Sequence, residues 1–183
     1  NDQERRVAAA GLTALMGAEL EFTLVNPPDG SRLEQSSWAA YGMRSVVARR
    51  AFLTDLTRTL EDAQVGAEQI HAEYGTDQFE VSLAPLPPVQ MADTAVLTRI
   101  LIGLVAARHG LAPSFSPLTF VGGSGNGMHL HLSLARDSQN LFGTGDGPHG
   151  LAPEGGSAIG GECSTACRTC SRSTPGPWSP RCG

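Results

Sequence analysis

The chain has 183 residues and a formal net charge of −5, with a pI near 5.5, which excludes a general binder of the nucleic-acid backbone. Hydrophobic residues make up 40% and charged residues 17%, a balance that fits a globular core and excludes a disordered chain. The apolar runs read as too short and too interrupted to span a membrane, and no basic-then-apolar leader opens the sequence, so no membrane partner and a cytoplasmic location are expected.

Residues 4–16 carry Val7, Leu12, Leu15 and Met16 among alanines and read as a short helix. Residues 18–25, AELEFTLV, alternate as a strand. Leu20, Phe22 and Leu24 take one face, and Glu19, Glu21 and Thr23 the other. Asn26-Pro27-Pro28-Asp29-Gly30 stops that strand. Residues 43–64 show helical periodicity, with Val46, Val47, Phe52, Leu53, Leu56 and Leu60 as the apolar stripe. Residues 67–74 and 78–84 read as a hairpin around Gly75-Thr76-Asp77, ended by Pro85, Pro87 and Pro88. A helix is expected at 91–109, facing the core with Leu97, Ile100, Leu101, Leu104 and Val105 and stopped by Gly110. Strands are expected at 111–120 and 127–135, followed by a loop over 137–158. Helices and strands mix without strict alternation, which predicts an α+β fold or an irregular β/α-barrel fragment.

Three features carry chemistry. Glu19 and Glu21 share a strand face, where like charges repel unless a cation sits between them; a solvated strand face is the alternative. Glu73 and Glu80 stand on the two arms of the hairpin and face each other if the register allows. In Gly125-Asn126-Gly127-Met128-His129-Leu130-His131-Leu132-Ser133-Leu134, the residues His129, His131 and Ser133 share one face and the leucines the other. Two imidazoles after a glycine loop fit metal or phosphate binding. Several carboxylates with one imidazole suit Mg²⁺ or Mn²⁺, and with a phosphate-accepting loop they suggest metal-assisted phosphoryl chemistry. A cupin-like module is a weaker match through Gly123-x₅-His129-x-His131. Asp137 is too distant to complete that motif, and the helix at 91–109 fits an all-β cupin badly.

GAELEF, HAEYGTDQFE and GSGNGMHLHLSL, in that order, resemble the catalytic domain of the glutamine synthetase family over about residues 17–161. EYGTDQFE also resembles the branch that ligates glutamate to amines. The resemblance implies two sites for Mg²⁺ or Mn²⁺, one using Glu21, Glu73 and Glu80 and the other Glu19 and His129. It implies His131 and Ser133 near the nucleotide and Ser124 and Gly125 near glutamate. The implied reaction uses ATP to phosphorylate the γ-carboxylate of glutamate, after which ammonia or an amine displaces phosphate. The implied partners are these small molecules, with a ring-shaped homo-oligomer as the parent assembly. Two departures stand out. Ser124-Gly125-Asn126-Gly127 replaces the commoner Asn-Gly-Ser-Gly, and Leu118 stands where many members have lysine. A later glutamate, the glutamate-binding arginines and the N-terminal β-grasp domain have no counterpart here, so this chain alone is expected not to complete catalysis.

Residues 162–183 read as a separate piece. All four cysteines (Cys163, Cys167, Cys170 and Cys182) fall there, and the 13 basic residues of the whole chain are all arginine. Cluster, zinc and disulfide readings of these cysteines are weak. Back-translation with GC-rich codons, read from the third base, turns the start of this tail into an amphipathic stretch, so a shifted reading frame is the favoured expectation. The expected division is therefore 1–161, a partial catalytic domain, and 162–183, an aberrant tail.

Overall fold

The computed structural model describes residues 2–34, 40–143 and 145–160, and the chain divides into two compact units. Of the described residues, those up to 4 and within 14–132 form the first, and those within 5–13 and 133–160 the second. The expected tail at 162–183 lies outside the described residues.

The first unit is built on β1 (Thr13–Val25). Its alternation is as the sequence suggests: Leu20, Phe22 and Leu24 are buried, while Glu19 and Glu21 are half-buried on the other face. The strand begins earlier than expected. The helix α1 covers only Asp2–Ala9, and Gly11 at φ 70° ends it, so Leu15 and Met16 belong to the strand. Once an αL glycine stops a helix, the following Thr-Ala-Leu-Met run can join the ladder.

The helix expected at 43–64 is two helices, α2 (Met43–Ala48) and α3 (Arg50–Asp62), parted at Arg49. Phe52, Leu53, Leu56 and Leu60 are buried as expected. Val46 packs at the core's edge, but Val47 is exposed, because the break at Arg49 takes α2 off the register of α3.

The hairpin forms from β2 (Ala67–Ala72) and β3 (Gln78–Leu86). Its antiparallel register sets His71 opposite Glu80 and Ala72 opposite Phe79. β3 also pairs antiparallel with β1, Glu21 opposite Glu80 and Phe22 opposite Phe79. On its other side β1 meets β5 (Met128–Arg136). There the Glu21 N–H donates to the Gly127 carbonyl at 3.2 Å, and Gly17 lies against His131. β4 is only Ala112–Ser114 and pairs with Thr23–Val25. Residues 115–120 form bends around a single bridge, Leu118 to Gly125, instead of the strand expected there.

α4 runs from Pro88 to Arg108, with proline in the first turn where a missing N–H costs nothing. It packs against α3, β3 and β4. Its core face is Met91, Ala95, Thr98, Ile102, Val105 and Ala106, so the expected face is largely overturned. Val105 is buried and Leu101 packs against the core, but Leu97, Ile100 and Leu104 are exposed. The reason is that α4 is apolar nearly all round, and a stripe cannot be chosen by periodicity on such a helix. By length and composition alone α4 is also long and apolar enough to cross a membrane, which corrects the expectation that no apolar run has that length.

In β5 the leucines do not all turn inward either. Leu130 and Leu132 are exposed. In the second unit, Leu134 is buried and the end of β5 pairs with β6 (Gln139–Asn140), Ala135 opposite Asn140. That short strand, a 3₁₀ turn at Pro148–Gly150 and a helical stretch at residues 153–160 interrupt the loop expected over 137–158. Arg136 pairs with Glu154.

Candidate metal centre

The strand faces opposite the core gather a cluster of charged and polar groups in the first unit. β1 contributes Glu19 and Glu21, β3 contributes Gln78, Glu80 and Ser82, and β5 contributes His129 and His131. All sit on the alternate positions left over once Phe22, Phe79, Val81 and their neighbours have filled the core.

Among the described residues, two groups of three side chains bring one possible ligand atom from each residue within 4.8 Å of the others. They are Glu19, Glu80 and His129, and His71, Glu73 and Glu80. Glu80 belongs to both and is 6% exposed. Its Oε1 accepts from Ser82 Oγ at 3.1 Å and lies 3.2 Å from His71 Nε2. The carboxylate of Glu19 bridges two imidazoles, His129 Nδ1 and His131 Nε2, each at 3.0 Å. The grouping differs from the division implied by the resemblance, since Glu80 joins the Glu19–His129 side as well as Glu73. Glu21 is in neither group. It faces Glu80 across the β1–β3 ladder and accepts from Gln78 Nε2 at 2.9 Å. His71, to which the motifs give no role, joins Glu73 and Glu80. Ser133 belongs to the second unit.

The donor set fits a hard divalent cation. Carboxylate oxygens with one imidazole nitrogen suit Mg²⁺ or Mn²⁺. His71 Nδ1 lies 3.0 Å from the Ala72 carbonyl, and a carbonyl can only accept, so Nδ1 carries the hydrogen and Nε2 is the free ligand atom. Gly127 keeps the space open, because a Cβ there would lie 2.7 Å from Glu21 Oε1.

The electrostatics agree. Burial opposes the charged form of His71, yet its hydrogen bond to the Ala72 carbonyl and the carboxylates of Glu80 and Glu73 outweigh that and raise its pKa. Burial, together with the charges of Glu21 and Glu80, also raises the pKa of Glu73, against the Tyr74 N–H that donates to it. Each native group therefore holds its proton more tightly than in the unfolded chain. Protonated, each contributes stability below its ordinary pKa, and that contribution is lost as the pH climbs through the native value. The metal-free chain should thus lose stability between about pH 5 and about pH 8. Glu73→Gln should recover part of the loss, and urea midpoints of both chains at the two pH values measure it. A gain from Glu73→Gln that is larger at the lower pH contradicts the assignment.

Beside the cluster lies a cavity of about 430 Å³ lined by Thr23, Arg32, Tyr74, Gln78, Phe120 and Ser124, with Gly122 and Gly123. The Arg32 guanidinium rests 4.1 Å from the centre of the Phe120 ring, a cation–π contact. Of the two residues expected near glutamate, Ser124 lines this cavity, and the carbonyl of Gly125 accepts from Gln78 Nε2 at 2.7 Å.

Two residues that the sequence reading passed over hold the loops together. Asn126 Nδ2 shares its two hydrogens among the carbonyls of Ser114 and Ser116 and Thr119 Oγ1, and its Oδ1 accepts from Thr23 Oγ1 and Gln78 Nε2. Asp77, buried at φ 52°, pairs with Arg49 at 2.7 Å and accepts from Leu24 N–H through its carbonyl. That pair pins the turn between β2 and β3 to the junction of α2 and α3. The signal for Gln78 was available: it sits two residues before Glu80, so it shares the face of Glu80.

The sequence profile of the glutamine synthetase catalytic domain matches residues 1–177. The chain belongs to the glutamine synthetase family. Among curated relatives it is 38% identical over 164 residues to the gamma-glutamylpolyamine synthetase GlnA3 of Streptomyces coelicolor, covering 86% of this chain and 35% of that protein. It is 30% identical over 155 residues to the glutamate–methylamine ligase of Methyloversatilis universalis, covering 82% of this chain and 35% of that protein. The solved structure of ligand-free GmaS superposes with a TM-score of 0.80 at 29% identity, covering 88% of this chain and 39% of that one. The chain thus spans about a third of the length of the curated relatives it matches. Its fold is mixed α and β, a partial catalytic domain of the glutamine synthetase type. The relatives named in the matches include a gamma-glutamylpolyamine synthetase, a glutamate–methylamine ligase and glutamine synthetases.

Proposed function

We propose that this chain carries the cation-binding part of an ATP-dependent ligase that joins the γ-carboxylate of glutamate to an amine nitrogen through γ-glutamyl phosphate. The observation that carries the reading is Glu80, a buried carboxylate shared by two possible ligand groups on the face beside a glycine loop and an open cavity. Glu19, Glu80 and His129 would hold one divalent cation, and Glu73 with Glu80 and His71 or Glu21 a second. Bound there, Mg²⁺ or Mn²⁺ supplies positive charge against the phosphates of ATP and the attacked carboxylate, holding two anions together against their repulsion. The chain's own residues do the rest. The Gly122–Gly125 loop shapes the cavity for glutamate, and His131, braced by Glu19, is a donor for the nucleotide phosphates.

Ammonia is the simplest acceptor. An alkylamine or polyamine is favoured over it by the 38% identity to the polyamine synthetase and by the match to the methylamine ligase. The whole reaction is assigned to a protein that supplies the remaining length of these relatives. The intact gene product, given glutamate, ATP, Mn²⁺ and hydroxylamine, should form γ-glutamyl hydroxamate. Phosphate release with methylamine, putrescine and ammonia in turn should rank the acceptors, with an amine ahead. Absence of glutamate-dependent phosphate release with every acceptor contradicts the proposal.

A further inference from the structure

The Gln78 carboxamide is 1% exposed and lies where three segments meet. Its Oε1 accepts from the Gly75 N–H at 2.7 Å. Its Nε2 lies 2.9 Å from Glu21 Oε2, 2.7 Å from the Gly125 carbonyl and 3.0 Å from Asn126 Oδ1. An amide nitrogen has two hydrogens, so three acceptors compete for two donors. One competitor is a carboxylate, whose charge makes it the stronger partner. The other two belong to the loop that borders the cavity. Asn126 passes any shift onward, because its own amide holds the carbonyls of Ser114 and Ser116 and the hydroxyl of Thr119.

We propose that Gln78 is a positioning residue that ties cation occupancy of the carboxylate cluster to the conformation of the glycine loop. The inference rests on reading that cluster as a cation site. With no cation, Glu21 takes a full share of the Gln78 amide. A cation beside the carboxylates draws charge from Glu21 and weakens its hold on that amide. The freed hydrogen goes to Gly125 and Asn126, and the loop beside Ser124 tightens. The loop is then shaped for substrate only when the cation is in place. The sequence supports the arrangement locally. Gly75 leaves room for the carboxamide, since a Cβ there would lie 2.5 Å from Gln78 Oε1, and the Arg49–Asp77 pair holds the backbone just before Gln78.

The test is a Mg²⁺ titration of the full, ¹⁵N-labelled chain followed by NMR. In the wild type, the backbone amides of Glu73 and Glu80 should shift. The amides of Gly125 and Asn126 and the side-chain amide of Gln78 should shift with the same midpoint. In Gln78→Met, Glu73 and Glu80 should still respond to Mg²⁺, while the Gly125 and Asn126 response is lost. An undiminished loop response in Gln78→Met overturns the proposal. So does a wild-type loop that moves while the Gln78 side-chain amide stays still, a reading that needs no variant and decides the matter if Gln78→Met does not fold. No response at Glu73 or Glu80 in the wild type removes the cation site itself, and the inference with it.

Discussion

Glu80→Ala is expected to lower the Mn²⁺ affinity of the chain by at least about tenfold, the larger share of the range seen when even supporting residues of metal sites are lost. Glu80 is the one carboxylate common to both ligand groups, so its removal strips an oxygen from each at once. It also leaves Ser82 Oγ without its acceptor. Isothermal titration with MnCl₂ reads the change. Glu73→Ala should weaken binding less, because it touches one group only. Glu68→Ala is the control: Glu68 is exposed on β2, belongs to neither group and should titrate like the wild type. Superimposable curves for Glu80→Ala and Glu68→Ala contradict the assignment.

Phe22→Ala should cost about 3–5 kcal/mol of folding stability, the range for removing a large aromatic side chain from a packed core. Phe22 is fully buried. Its ring centre lies 6.3 Å from that of Phe52 on α3, 6.2 Å from Phe79 on β3 and 5.8 Å from Phe115 after β4. Four segments therefore lose a shared contact. Against a typical total of about 5–15 kcal/mol, most molecules of a marginal chain would unfold. Because Phe22 directly follows Glu21 on the opposite face of β1, metal affinity should fall with the folded fraction, and saturating Mn²⁺ should recover part of the loss by mass action. Urea denaturation with and without Mn²⁺ checks both statements. A loss below about 1 kcal/mol would mean that the aromatic cluster is not the keystone of this core.

The sequence makes some of this arrangement legible and hides the rest, for physical reasons. In AELEFTLV a period of two, with charges on one side and large apolar groups on the other, leaves no other way to bury the strand. The hairpin at Gly75-Thr76-Asp77 is signalled by its turn residues, but its register is not. The Arg49–Asp77 pair and the Gln78 side chain hold the turn, and they set His71, not Glu73, opposite Glu80. The face of α4 is illegible because Val96, Leu97, Ile100 and Leu104 are as apolar as the residues that are buried. The strand expected at 111–120 shrinks to Ala112–Ser114 because the backbone carbonyls of Ser114 and Ser116 are taken by the Asn126 side chain. Such a contact between residues a dozen positions apart competes with a strand ladder and leaves no local trace. Asn126 is hidden for the same reason, and for Gln78 only its strand face is readable. Their importance lies in which acceptors surround them, and only the assembled sheet shows that.

The most direct test of the account is the position of manganese itself. Crystals of the chain grown or soaked in MnCl₂, measured at the manganese absorption edge, should show an anomalous peak against the Glu80 carboxylate. That peak should be shared with Glu19 and His129, or with Glu73 and its neighbours. A peak confined to other acidic side chains, or density at Glu80 explained by water alone at saturating MnCl₂, would contradict the claim that these strand faces form a divalent-cation centre.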